Sequence, residues 1–130
     1  MIQELKDRTG QPVTVGVSTG DPVNAYTVSF GDAEPVGRAY FVDSPKADHE
    51  RIFFHTEVDA QYGGRGLAGL LVREALAESI RVGFTVVPVC PLFARHLVEH
   101  GDEFVAAGGA YRMPTPADTL TSSRAARLPR

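Results

Sequence analysis

Residues Arg51 to Gly69 read R-I-F-F-H-T-E-V-D-A-Q-Y-G-G-R-G-L-A-G. The β-prone run from Arg51 predicts a strand that closes at Val58 and Asp59. A glycine-rich turn follows, and a helix opens directly after it at about Gly66. The first amides of a helix lack intrahelical partners, and the helix dipole favours negative charge there. A strand, glycine turn and helix in this order therefore make a phosphate-binding end. Gly63, Gly64 and Gly66 let backbone approach an anion and allow positive φ. The segment points to a ligand that carries a pyrophosphate.

Two common phosphate loops do not fit. The Walker pattern ends in Gly-Lys-Ser/Thr, whereas Gly66 precedes Leu67 and Ala68. Gly64, Gly66 and Gly69 satisfy G-x-G-x-x-G, but a dinucleotide site also needs an acidic residue about 20 positions on, at the next strand end. That strand ends near Val89 and Cys90, without a carboxylate. Gln61, Gly64 and Gly66 fit Q-x-x-G-x-G instead. With F-H-T-E-V-D-A before it, this motif resembles the acetyl-coenzyme A loop of the GNAT superfamily of N-acetyltransferases. The likeness runs from about Gly37 to Phe104. V-V-P-V-C-P at Val86–Pro91, and H-T-x-V on His55, Thr56 and Val58, resemble a compact subgroup of that superfamily.

The resemblance implies a mixed α/β fold: a mostly antiparallel sheet followed by a β-α-β-α unit that binds acetyl-CoA. The coenzyme would lie between two parallel strands that splay apart, those ending at Val58 and Cys90. Val58 would pair its backbone with the pantetheine arm. Amides around Gln61, Gly63, Gly64, Arg65, Gly66, Leu67 and Ala68 would hold the pyrophosphate, with Arg65 assisting electrostatically. The chain departs from the family plan in one respect. Members place one or two helices after their first strand to help form the acceptor site, and between Val13 and Arg51 there is room only for hairpins.

The rest of the chain suits that plan. At 130 residues it is one domain with a modest core. A formal net charge of −3, without a dense Lys/Arg cluster, argues against a nucleic-acid surface. The single cysteine cannot form an internal disulfide, as in a reducing compartment. Neither a membrane-length apolar run nor a secretory h-region is visible, so a cytoplasmic protein is expected. Residues 1–10 read as frayed or weakly helical. Val13, Val15 and Val17 alternate as a strand does. Gly20-Asp21-Pro22 signals a turn, and Ala25–Phe30 a strand. Gly31-Asp32 signals a hairpin into Val36–Asp43, which Ser44-Pro45-Lys46 ends.

An apolar face on Ala68, Leu71, Val72, Ala75, Leu76 and Ile80 predicts a helix over about Gly66–Val82, capped by Gly83. Phe84–Cys90 reads as a strand buried on both faces. Pro91 opens a second helix with Leu92, Phe93, Leu97 and Val98 inward, ended by Gly101. Residues 1–112 form the predicted domain, and 113–130, with three prolines and three arginines, a disordered tail.

Three residues are candidates for catalysis. Cys90 lies between a strand end and a helix start, where a thiolate is stabilised; its other role is a small buried hydrophobe. His55 and Glu57 share one strand face, with Phe54 and Thr56 on the other, and could deprotonate an amine or thiol. Their other roles are a backbone-bonded core histidine and a solvated charge. Cys90 with His55 would form a nucleophile and base. His96 and His100 stand one helical turn apart, but no third ligand completes a metal site. Tyr111 is a candidate general acid or a packing residue. The resemblance thus implies an N-acetyltransferase acting on an unidentified amine, with acetyl-CoA as donor and no metal. A non-catalytic acyl-CoA-binding regulatory module and a structural interaction domain are the alternatives.

Overall fold

The computed structural model describes residues 5–19, 24–31, 33–45 and 48–127. The turn expected at Gly20-Asp21-Pro22, together with Asp32, Lys46 and residues 128–130, lies outside them. The strands are β1 (Leu5–Lys6), β2 (Pro12–Ser18), β3 (Asn24–Ser29), β4 (Gly37–Asp43), β5 (Glu50–Val58), β6 (Thr85–Pro88) and β7 (Ala110–Tyr111). They form one sheet in sequence order. Neighbours are antiparallel up to β5, whereas β5–β6 and β6–β7 are parallel. Helix α1 (Leu67–Val82) makes the β5–β6 crossover, α2 (Pro91–Ala106) follows β6, and α3 (Pro116–Arg127) ends the described chain.

Period-two alternation sends neighbouring residues to opposite faces of the sheet. Val28, Phe41, Phe53 and Val86 face the core beneath α1 and α2, with Leu71, Leu76, Phe93 and Leu97. Their neighbours Val42, Ile52 and Val87 face the other side, where Ala125 of α3 covers them. The rings of Phe53 and Phe93 stack at 4.4 Å. Truncating Phe53, which is fully buried, to alanine would cost about 3–5 kcal/mol. Gly83 caps α1 in the left-handed region, and the amides of Gly83 and Phe84 return to the carbonyls of Ile80 and Ser79.

Several expectations are corrected. Leu5 and Lys6 form β1 rather than a frayed or helical start, because the tight turn over Asp7–Gln11 folds them onto β2. Asp7 Oδ1 organises this turn, accepting from the amides of Thr9 and Gln11 and from the Thr9 hydroxyl. Helix α2 does not stop at Gly101. It kinks at His100 and continues to Ala106, with Gly101 buried beneath the Tyr111 ring. A Cβ on Gly101 would lie 2.5 Å from the Tyr111 hydroxyl, so glycine serves close packing here. Phe93, Leu97, Gly101 and Phe104 face inward, which turns Val98 out to 76% exposure and leaves Leu92 exposed as well. Residues 116–127 are helix α3 and not a disordered tail.

The reason for α3 is local and electrostatic. Thr115 and Asp118 form a capping box, in which Asp118 Oδ2 accepts from the Thr115 amide at 2.7 Å. Arg112 then grips Asp118 through two nitrogens at 2.8 and 2.9 Å, and Glu50 of β5 through two bonds at 2.9 and 2.8 Å. These bonds from Arg112, before any other influence, hold both carboxyls below the usual carboxylate range.

Candidate functional site

The glycine turn sits at the end of β5. Ala60–Tyr62 form a single 3-10 turn, after which Gly64 and Gly66 take φ of +79° and +77°. Gly66 is the N-cap of α1, and the first helical bond runs from the Leu70 amide to the Gly66 carbonyl. The amides of Leu67 and Ala68 precede that bond, and the first turn of α1 carries no acidic side chain. A Cβ on Gly64 would meet nothing within 4 Å, and one on Gly66 would lie 3.5 Å from the Arg8 guanidinium. The geometry fits an anion approached by backbone, with Arg8 at its edge.

Arg65 lies elsewhere than sequence suggests. Its guanidinium is 3.4 Å from Asp7 Oδ2 and 3.3 Å from Gln11 Oε1, beside the packed rings of Phe30 and Tyr62. The Arg65 carbonyl also accepts from the Arg8 amide at 2.8 Å. Arg65 therefore ties the loop to the β1–β2 turn, and that tie brings Arg8 to Gly66. Bonds from Thr9, above all from its hydroxyl, hold the Asp7 carboxyl below its ordinary range, so it stays ionised opposite Arg65.

The parallel ladder between β5 and β6 stops early. Its last register pair is Phe53 with Pro88, and the Cys90 amide closes it on the Phe53 carbonyl at 2.8 Å. Strand β5 runs on for Phe54–Val58 without β6 beside it. The Asp59 amide donates to Val36, next to β4. Alternation then turns the backbone polar groups of Val58 and Thr56 away from β4, into the splay. Extended β5 backbone, with β6 no longer beside it, thus runs from the Cys90 end to the glycine turn.

The three catalytic candidates are not gathered at one point. Cys90 is the N-cap of α2 and is only 2% exposed, within the core beneath α1 and α2. Its Sγ lies 3.5 Å from the Thr56 hydroxyl. His55 is on the opposite face of β5, across from Tyr40, with Nε2 3.4 Å from Glu57 Oε1. His55 and Glu57 do share a face, and Glu57 is also 3.6 Å from Arg38. The expected pairing of Cys90 with His55 as nucleophile and base is thus replaced by Cys90 with Thr56. Nor does Phe54 share the face of Thr56. A register shift between Tyr40 and Phe41 leaves Phe54 as an extra residue on β5, and its ring packs with Ile52 and Val87 on the α3 side.

The remaining candidates have structural surroundings. His96 and His100 pack ring to ring at 5.0 Å, and no group of three metal-ligating side chains occurs among the described residues. Burial first, and His100 second, lower the His96 pKa. Tyr111 packs over Gly101 and against Phe104. Among the described residues no helix is long and apolar enough to cross a membrane.

Residues 25–106, well over half of the chain, match the family model described as GCN5-related N-acetyl-transferase. The chain belongs to that family. Among curated proteins none matches its sequence. The matched span includes β3 to α2, hence the splay, the glycine turn and Cys90, and it leaves out β1, β2, β7 and α3. Members of the GCN5-related family typically take their acetyl group from acetyl-CoA. Sequence reasoning missed Thr56 as the partner of Cys90, Arg8 at the loop, and α3. The first lies inside the H-T-x-V motif, and the second inside a legible Asp-Arg-Thr-Gly turn. The third had its Thr-Pro-Ala-Asp capping box in plain sight.

Proposed function

We propose that this GCN5-related chain binds acetyl-CoA in the β5–β6 splay and transfers the acetyl group to an amine. The observation that carries this is the early end of the parallel ladder at Phe53–Pro88, beside a β5 that continues to left-handed glycines and orphan amides. Val58 and Thr56 present backbone partners to the pantetheine arm. Amides from Gln61 to Ala68, with Gly63, Gly64 and Gly66 leaving room, receive the pyrophosphate. When bound, acetyl-CoA supplies an acyl carbon activated by its bond to sulfur.

Two routes use different residues. In the direct route His55, backed by Glu57, takes a proton from the acceptor ammonium. The amine nitrogen then bonds to the acyl carbon as the carbon–sulfur bond breaks, and the departing sulfur leaves as a thiol after taking the second nitrogen proton. In the covalent route Cys90 Sγ bonds to the acyl carbon and its thiol proton goes to the departing sulfur. The amine then displaces Cys90, which regains a proton. Thr56, 3.5 Å away, is placed to relay those protons. The 2% exposure of Cys90 favours the direct route and equally suits a regulatory module that binds acyl-CoA without turnover.

Thermal shifts with acetyl-CoA, coenzyme A, NAD and ATP in parallel test the donor, because a ligand of the folded state raises the melting midpoint. Both coenzyme A species should raise it and NAD should not. Equal shifts with all four, or none, would refute the donor assignment. Acetyl transfer to amines then separates enzyme from regulatory module.

A further inference from the structure

We propose that α3, which lies outside the matched family span, completes the acceptor site, and that its occupant is a small primary amine with an apolar body. Between α3 and the splay lies a cleft of about 300 Å³, the small end of the roughly 300–1,000 Å³ range for small-molecule sites. Phe54, Val89 and Ala126 give it apolar walls, Thr119 and Ser123 add hydroxyls, and His55 is its titratable group.

Three features assign the occupant. The first is position. Phe54 and Val89 each follow the last β5–β6 register pair by one residue, so the cleft opens where the strands part. The bulge that makes Phe54 an extra residue also puts it beside His55 on this side of the sheet, opposite the Cys90 side. The second is charge. Among the described residues no lysine or arginine lines the cleft, and His55 is backed by the Glu57 carboxylate at 3.4 Å. An ammonium is tolerated at His55, and the base that must deprotonate it is already there. The third is size: about 300 Å³ accommodates an arylalkylamine.

The same helix resolves a deficit in the chain. Helices that would line the acceptor side do not occur between β2 and β5 among the described residues. Helix α3 arrives on that face from the other end of the sequence, held by Arg112 between Glu50 and Asp118.

This assignment rests on the donor cleft proposed above, so the test reads the two sites separately. The full chain, labelled with nitrogen-15, is titrated with 2-phenylethylamine and, as the uncharged comparison, 2-phenylethanol. Amide shifts should concentrate on Phe54, His55, Val89, Thr119, Ser123 and Ala126, and the alcohol should bind about tenfold more weakly. Ser123→Trp should fill the cleft and abolish those shifts. Ala126→Trp, at an exposed position, does the same should the first variant not fold. Calorimetry with coenzyme A on the same samples reports the donor cleft. In turnover with acetyl-CoA, either tryptophan should raise the amine KM about tenfold or more. Scattered or absent amide shifts in a wild type that binds coenzyme A would overturn the α3 site alone. Amine shifts confined to the cleft, in a protein that binds no coenzyme A, would support the cleft and overturn the donor reading.

Discussion

Replacing Gly66 by valine separates backbone strain from ligand loss, because the structure contains its own control. Gly66 caps the N-terminus of α1 with φ +77°, and Gly83 caps its C-terminus with φ +76°. Valine in the left-handed region costs about 1–2 kcal/mol at either place. Steric crowding adds little: a Cβ at Gly83 meets nothing within 4 Å, and one at Gly66 meets only Arg8 at 3.5 Å. Both variants should thus melt roughly 3–8 °C below the parent and remain folded. Only the valine at Gly66 stands where phosphate must approach. Losing a single charge-assisted amide bond of about 1.5–3 kcal/mol weakens coenzyme A binding about 10- to 150-fold. Calorimetry with coenzyme A, beside calorimetric melting, reads both quantities. A folded Gly66→Val protein that binds coenzyme A like the parent, or a Gly83→Val protein that loses binding equally, would refute the loop assignment.

Three further outcomes are expected. His55→Ala should keep its coenzyme A affinity and lose about 10²–10⁴-fold in acetylation rate, with Glu57→Gln losing less; unchanged turnover in His55→Ala removes the imidazole from the reaction. If the covalent route operates, intact-mass spectrometry after acetyl-CoA treatment should show a single added acetyl group on the parent, labile to hydroxylamine and absent from Cys90→Ala; full transfer by Cys90→Ala assigns the direct route. Asp118→Asn should cost about 1–2 kcal/mol, discounted because Arg112 is about one-third exposed, with the loss seen in thermal melts. Glu50 and Asp118 have folded pKa values below their unfolded ones. Their contribution is therefore full above the ordinary carboxylate range and fades as pH falls through and below it, so the difference between parent and Asp118→Asn should shrink in acid.

The parts of the fold legible in sequence are those set by short-range chemistry. Gly83 and Gly66 bracket α1 because few other residues accept positive φ at both ends. Val86 and Val87 read as doubly buried because helices cover both faces of β6. The rest depended on distant partners. A bulge is invisible without the opposing strand, so alternation alone puts Phe54 on the face of Thr56 and does not separate Cys90 from His55. Gly101 reads as a helix stop in sequence, but it lies within α2, where Tyr111 packs over it. Helix α3 looked disordered because its composition is polar and proline-flanked. Its order joins a local capping box at Thr115 and Asp118 to a distant anchor, Glu50, which is 62 residues from Arg112 in sequence.

Hydrogen–deuterium exchange of the full chain, with and without acetyl-CoA, tests the donor cleft most directly, since it reads the very amides said to hold the pyrophosphate. Bound acetyl-CoA should slow exchange at Gly64–Ala68 and at Thr56–Val58 while β2 and β3 stay unchanged. Unaltered exchange at Gly64–Ala68 under saturating acetyl-CoA, or protection confined to another surface, would contradict the account.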